Sequence, residues 1–563
     1  MAVEDDGVAV SWSPTGDSPR VSVSPAPDGL QAYMGGSDPE DLSPHELVMF
    51  LVRPGPMSLI DSSEERRVCA RFGTGTGRVS KNIVTSGRQL RDALAHMMAA
   101  ARLPVLLTAN QEGGRLNALD WPDTTVLPGN MALGATDDPG LAYAAGTAIG
   151  AQMRCLGVTW NLAPCCDLAS RPSNPALGNR CFGDDPDRVA ALAAAFVQGL
   201  QREKVAATVK HFPGLTGTSI DPHNRIPVTR RLASGALVPF GAAIRAGVAA
   251  VMVGAHVVRE IDADNPAVFS ARVIDGLLRS QMAFTGVVVT ENLSIPAVVQ
   301  AAGGIGEAAV RAVAAGADVV LLDSEVSKRK PKAADVSVGN DAGMARRAKV
   351  VHALVAALAS GRLSRARVVQ SARRVIALHQ RFGVTALPAE QQWDSAETHA
   401  TEVAVRIARH SVTVLPGPAG VLPLRCRPGQ AVSVIRVAPT AGTRADSSWH
   451  APFSLPGFLE RYAPVAVVDL ADRSSRQPLC CTIVVTHDAK AGPADPCRSL
   501  VAASGTDRPV VHVAVGDPGD LLGCPAQVRI AVYNPYQQAM QCVADVLFGR
   551  ASATGALPVI GTR

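Results

Sequence analysis

Residues 205–211 read VAATVKH, a run of small and β-branched residues that carries no charge until it stops at Lys210 and His211. An uninterrupted apolar run of this length suits a strand covered on both faces, as in a parallel sheet. The same pattern recurs downstream in AAVMVGAH (249–256), GVVVTE (286–291) and ADVVLLD (317–323). Upstream it recurs in VMFLV (48–52), more weakly in RVSKNIV (78–84), and in LPVLLTA (103–109) and GVTWNLA (157–163). Amphipathic helical patterns separate the runs, and strands alternating with helices imply a parallel sheet wrapped in helices. About eight such units in roughly 340 residues predict a TIM-like (β/α)8 barrel. Several runs end in polar residues: Asn110 and Glu112, Asp167, Lys210 and His211, His256, and Glu291. Strand C-termini form the working face of such barrels, so these side chains are expected to converge there.

Outward from the barrel the pattern changes at both ends. Residues 1–42 are rich in Pro, Ser, Gly and Asp without sustained periodicity, and read as a disordered leader. The barrel is expected over 43–385, interrupted by the polar insertion SEVSKRKPKAADVSVGNDAG (324–343), read as a mobile loop, and followed by a linker over 386–400. Over 401–563 the runs SVTVL, AVSVIRV, VAVVDL, CTIVVT, PVVHVAV and VRIAVY predict a second, α/β sandwich domain. A chain of 563 residues is long enough for two cores.

Composition narrows the function. A net charge of +5, and a single short basic run at Lys328–Lys332, argue against a nucleic-acid footprint. No window is apolar enough for a membrane span, and the acidic start, MAVEDDGVAVSW, lacks the pattern of a secretory signal. Eleven cysteines without a C-x-x-C pair suggest buried reduced thiols in a cytoplasmic protein. No His/Cys/Asp grouping has metal spacing, so no metal is expected. GTGTGR (73–78) lacks the strand–loop–helix setting of a phosphate loop, and no cofactor is expected.

VKHFPGLTGTSIDPHNRIP (209–227) resembles the K-H-F-P-G-H-G-x-T-x-x-D-S-H-x-x-x-P signature of bacterial β-N-acetylglucosaminidases in glycoside hydrolase family 3. NQEGGRLNAL (110–119) is similar to the family's D-Q-E-G-G-R. NLAPCCDL (161–168) and NPALGNRCFGDDP (174–186) resemble N-F-A-P-V-x-D-V and N-P-x-I-G-x-R-S-F-G-x-D-P. VMVGAHVV and GVVVTENLSI resemble V-M-x-A-H-x-V and G-V-x-x-T-D-D-L-x-M, and VADVLFGRASATGALPV resembles the close of two-domain members. The similarity runs over about residues 44–563 and implies a barrel followed by an α/β sandwich.

The resemblance also implies roles. Retaining glycoside cleavage needs a nucleophile below the anomeric carbon and an acid/base at the leaving oxygen. His223, oriented by Asp221, matches the family's acid/base pair, although Asp-Pro-His-Asn is also ordinary turn chemistry. Glu291 stands where the family has its Asp nucleophile, with Asn292 in place of the next Asp. One extra methylene moves the carboxylate by roughly 1 Å, a shift that can cost about 10²-fold. Arg180, Lys210 and His211 match sugar-binding positions, and Arg115 and His256 are further candidates for the pocket. Asn110 replaces a family Asp and Leu215 a family His. The expected partner is a carbohydrate or glycoside. With these departures three readings stay open: a double-displacement glycosidase, a glycosyl-transferring variant (phosphorylase, transglycosylase or N-glycoside-forming), and a weakly active sugar-binding homologue.

Overall fold

The computed structural model describes residues 38–53, 78–79, 84–101, 104–170, 174, 176–218, 220–322, 335–418, 420–437, 453–468, 478–488 and 508–559. Eight parallel strands form the first sheet: Val52–Arg53, Arg78–Val79, Thr108–Ala109, Trp160–Asn161, Ala206–Phe212, Ala250–Val253, Val287–Asn292 and Val319–Leu321. Each pairs with its sequence neighbour from the second strand to the eighth, and the first strand pairs with the eighth through Val52↔Val320. This parallel order, with the first strand beside the eighth, is that of a TIM-like barrel, in which the sheet curls round on itself. The long helices Pro139–Cys155 and Pro186–Arg202 pack outside against one another. Each begins at an Asp whose carboxylate accepts backbone N–H groups of the first turn, with Pro at the first helical position.

The second sheet has six strands, with Val528–Ala531, Val510–Ala514, Leu479–Thr486, Ala431–Arg436 and Val465–Val468 parallel in that order. Thr413–Leu415 is added antiparallel at the edge, and a separate apolar core lies under this sheet.

Five expectations change. VMFLV (48–52) is not a strand along its length: Pro44–Leu51 is helix, and only Val52 enters the sheet. Ser43 and Glu46 form a capping box ahead of it, a start signal that outweighs a short apolar run. The linker over 386–400 is helical from Glu390, within Glu390–Ser411. Trp393, Ala396, Ala400, Val403, Ala404 and Ile407 recur every three or four residues and bury one stripe of it. The polar insertion lies outside the described residues up to 334, and from Asp335 it is helix. Of the leader, residues 1–37 lie outside the described residues, while Pro39–Asp41 is a capped 3-10 turn with Asp38 and Glu40 on Arg373. Nor are all the thiols reduced: Cys426 and Cys480 form a disulfide with Cα atoms 5.3 Å apart. Among the described residues no helix is long and apolar enough to cross a membrane.

The two sheets are stitched together beside the barrel's C-terminal rim. Arg115 Nη1 lies 3.2 Å from Asp488 Oδ2, Asn179 donates to the Tyr533 carbonyl at 2.8 Å, and Tyr536 Oη donates to the Gly114 carbonyl at 2.7 Å. Further on, Asp184 N–H donates to the Pro558 carbonyl at 3.1 Å and Ala556 N–H to the Ala135 carbonyl at 2.9 Å. A Cβ on Gly183 would meet the Pro558 carbonyl oxygen at 2.5 Å, so only glycine admits this approach.

Candidate active site

Two barrel strands change register where the functional side chains stand. Along Ala206–Phe212, pairing with Ala250–Val253 skips a residue between Val209 and Phe212, the stretch holding Lys210 and His211. Along Val287–Asn292, pairing with Val319–Leu321 skips one between Val289 and Asn292, the stretch holding Glu291. A bulge bends a strand and re-aims its side chains, and bulges are common beside active sites. Leu321 N–H, displaced from the ladder, donates to Thr290 Oγ1 at 3.0 Å.

The first group at this rim is built on Glu112, which is buried. Arg180 grips it with two hydrogen bonds, Nε to Oε2 at 2.9 Å and Nη2 to Oε1 at 2.7 Å. Lys210 Nζ lies 2.5 Å from Oε1 and also donates to the Leu162 carbonyl and, at 3.1 Å, to Asn110 Oδ1. Burial alone would raise the Glu112 carboxyl, but the two cations outweigh it and hold its pKa at about 2. Burial likewise lowers the Lys210 ammonium against the pull of Glu112, whereas the Arg180 guanidinium ends above its ordinary value because Glu112 wins. Asn130 fixes the Arg180 carbonyl at 2.8 Å, and Asn179 beside it is the residue tied to the second sheet.

The second group is an Asp–His pair between strand ends. His211 Nδ1 and Asp167 Oδ2 are 2.7 Å apart, and Asp167 Oδ1 accepts the Leu215 N–H at 2.6 Å. The Cys165 thiol donates to Asp167 Oδ2 at 3.2 Å. On the other side, His211 Nε2 faces Glu291 Oε2 at 4.0 Å. Burial pulls the imidazole pKa down, but the carboxylates of Glu291 and Asp167 outweigh it and raise it to about 10. Asp167 is held below its ordinary value by His211 despite burial. His256 is fully buried beside this pair, and burial presses its pKa to about 4. Neither ring nitrogen has a hydrogen-bond partner among the described residues.

The third group lies on the loop after Ala206–Phe212. His223 Nδ1 is 2.7 Å from Asp221 Oδ1, which also accepts the His223 N–H at 2.9 Å. The hydrogen bond that His223 donates to Asp221 raises the His223 pKa against partial burial, with Glu291 adding to it. Asp221 is lowered in turn, burial notwithstanding, by its bonds to His223. The His223 side chain is 37% exposed, against 15% for Glu291 and 7% for His211. One loop histidine thus faces solvent while its Asp fixes the other ring nitrogen.

The structure therefore brings Asn110, Arg180, Lys210, His211, His256 and Glu291 to one rim, with Asp221 and His223 on the loop beside it. Arg115 departs from the expectation: its guanidinium pairs across to Asp488 and fills the space a side chain at Gly178 would need, since a Cβ there would meet Nη1. Sequence reading placed Glu112 among the converging strand ends but gave it no role, and the structure makes it the centre of the first group. Sequence reading also missed the approach of Cys165, Asp167 and His211, whose ligand atoms all lie within 4.8 Å of one another. These three come from two strand ends, so spacing along the chain carries no trace of them.

With this geometry in place, comparison with known proteins is informative. The model of the glycosyl hydrolase family 3 N-terminal domain matches residues 73–378. A β-hexosaminidase of Xylella fastidiosa (strain M23) is 38% identical over 252 residues, covering 43% of this chain and 74% of that protein. One from Stenotrophomonas maltophilia (strain K279a) is 38% identical over 251 residues, with the same shares covered. Among solved structures, a family 3 β-N-acetylglucosaminidase from Paenibacillus sp. str. FPU-7 superposes with a TM-score of 0.79 at 29% identity, covering 92% of this chain and 99% of that one. A β-glucoside phosphorylase shares the fold with a TM-score of 0.77 at 19% identity, over 94% and 96% of the two chains. The barrel, its polar rim and the matched segment agree: this chain belongs to glycoside hydrolase family 3.

Proposed function

We propose that the chain is a retaining glycosidase of the β-N-acetylhexosaminidase type, acting by double displacement through its barrel, about residues 43–385. The observation that carries this reading is the Asp221–His223 contact at 2.7 Å on a loop beside Glu291. Asp221 holds one imidazole nitrogen, which leaves Nε2 of a half-exposed ring to meet a leaving oxygen. In the first step the Glu291 carboxylate attacks the anomeric carbon, the glycosidic bond breaks, and His223 gives its proton to the departing oxygen. In the second, His223 takes a proton from water, which attacks the glycosyl ester and frees Glu291. Arg180, Lys210, His211 and Asn110 bind sugar hydroxyls or the N-acetyl group, and the bulge at 290–292 adjusts the reach of the longer Glu291 side chain. A carboxylate already fixed by Arg180 and Lys210 leaves the remaining donors of those groups in set directions, which is preorganisation for a neutral ligand.

The test is a panel of activated aryl β-glycosides, including the N-acetylglucosaminide, with and without phosphate, together with Glu291→Gln. Release of aglycone without phosphate, a covalent label on Glu291 from a fluorinated mechanism-based glycoside, and loss of turnover by about 10³-fold or more in the variant are expected. Near-normal turnover of Glu291→Gln on a true substrate removes the double displacement. Strict dependence on phosphate moves the acceptor from water to phosphate.

A further inference from the structure

Two of this chain's departures from the family pattern have not yet been given a meaning. Cys165 stands where the similar segment has Val, and Cys181 where it has Ser. They are distant in sequence, yet with Leu177 and Leu215 they form one buried cluster, and Cys165 ties that cluster to the Asp167–His211 pair. Leu215 is itself a departure, replacing a His. Cys165, Asp167 and His211 offer S, O and N ligand atoms within 4.8 Å of one another. A tetrahedral zinc site with ordinary bond lengths has ligand–ligand edges of about 3.3–3.8 Å, so these donors need only small shifts to close on an ion. All four residues are buried, and the His211 ring reaches the pocket, which gives an ion a route in.

We propose that Cys165, Asp167 and His211, with Cys181 packed in the same buried cluster, form a binding site for a thiophilic divalent cation of the zinc class, and that an ion held there through His211 hinders sugar binding. Cys165 and Cys181 supply thiolates, His211 the ring nitrogen now facing Asp167, and Asp167 one carboxylate oxygen. The thiol and imidazolium protons leave to solvent as the ion enters, so binding releases protons without any oxidation or reduction. The ion takes the place of the hydrogen bonds from His211 and Cys165 to Asp167. The mixed S/N/O set suits zinc better than magnesium or calcium, which take oxygen ligands.

Zinc chloride alone is the probe, titrated into the full chain against a chromophoric chelator without reductant, so that the Cys426–Cys480 bridge stays intact. One ion per chain is expected, with release of protons into a weakly buffered solution. Cobalt(II) in its place should give the thiolate charge-transfer absorption and visible bands of a tetrahedral ion. Cys165→Val and Cys181→Ser install the residues of the similar proteins, so they are compatible with the fold. Each should weaken zinc at least tenfold, and the double variant should abolish the cobalt spectrum. Asp167→Asn, which keeps the shape, should weaken it as well. Zinc binding that is absent in the unaltered chain, or that persists unchanged in the double variant, overturns the site. These readouts need no substrate, so they stand or fall apart from the proposed glycosidase activity. If that activity holds, zinc should also lower turnover in the unaltered chain and not in the double variant; equal inhibition of both overturns the effect on sugar binding.

Discussion

The molecule contains two Asp–His pairs with the same 2.7 Å contact, and they do opposite things with it. Asp167–His211 is enclosed between strand ends, with Asp167 also accepting the Leu215 N–H and the Cys165 thiol. Asp221–His223 sits on a loop with its imidazole 37% exposed. In the first pair, burial disfavours the imidazolium, but the facing Glu291 and Asp167 carboxylates outweigh it and make the charged ring part of the framework, with a pKa of about 10. In the second, solvent keeps both protonation states accessible, which is what an acid/base group requires. Identical partners therefore become a brace or a proton carrier according to the charges that face them and their access to solvent.

Separating the two pairs by mutation should give unequal losses. Asp167→Ala has the largest expected effect, about 3–5 kcal/mol in urea unfolding, because it strands a buried charge. Turnover should vanish with it. Asp221→Ala should change stability by less than about 1 kcal/mol, since its partner is solvated. Comparable destabilisation by the two variants would erase the distinction. Next in size, His223→Ala should slow poor leaving groups by about 10²–10⁴-fold, and activated aryl glycosides far less. Its raised pKa keeps the acid form present above pH 6.5, so the unaltered enzyme should lose the protonation step as pH rises through that raised value. Equal losses on both substrate types would remove the acid role.

The smallest effects are pH slopes in stability. His211 is raised from 6.5 to about 10, so its contribution is complete below pH 6.5 and fades as pH rises towards 10. His211→Gln should flatten the alkaline limb of a urea-midpoint profile. His256 is depressed to about 4, so the unfolded chain binds the proton first, and stability should fall as pH drops from 6.5 towards 4. His256→Phe should reduce that acid limb, and an unchanged limb would show that other groups set it.

Much of this was legible in the sequence, but unevenly. Apolar runs at 205–211, 249–256 and 286–291 correspond to strands at Ala206–Phe212, Ala250–Val253 and Val287–Asn292, because a buried parallel strand leaves an unbroken trace. All six runs of the second sheet are strands as well. The helix Pro44–Leu51 was hidden, since periodicity cannot separate a short buried helix from a strand. At the site, Asp221 and His223 were legible because their contact is local. Glu112 with Arg180, Cys165 with Cys181, and Arg115 with Asp488 were not, since each pair is joined only by the fold. The disulfide between Cys426 and Cys480 was hidden for the same reason.

The contact of Pro558 with Asp184 and Gly183 reaches beyond packing. The turn bearing Arg180 runs straight into that contact, yet the segment that completes it is synthesised after the whole second sheet. A barrel emerging from the ribosome therefore holds every strand and every rim side chain before the segment that fastens the turn bearing Arg180 exists. Domains made early generally fold early. Here the framework can assemble on that schedule while the pocket waits, so competence to bind marks completion of the later sheet rather than of the barrel itself.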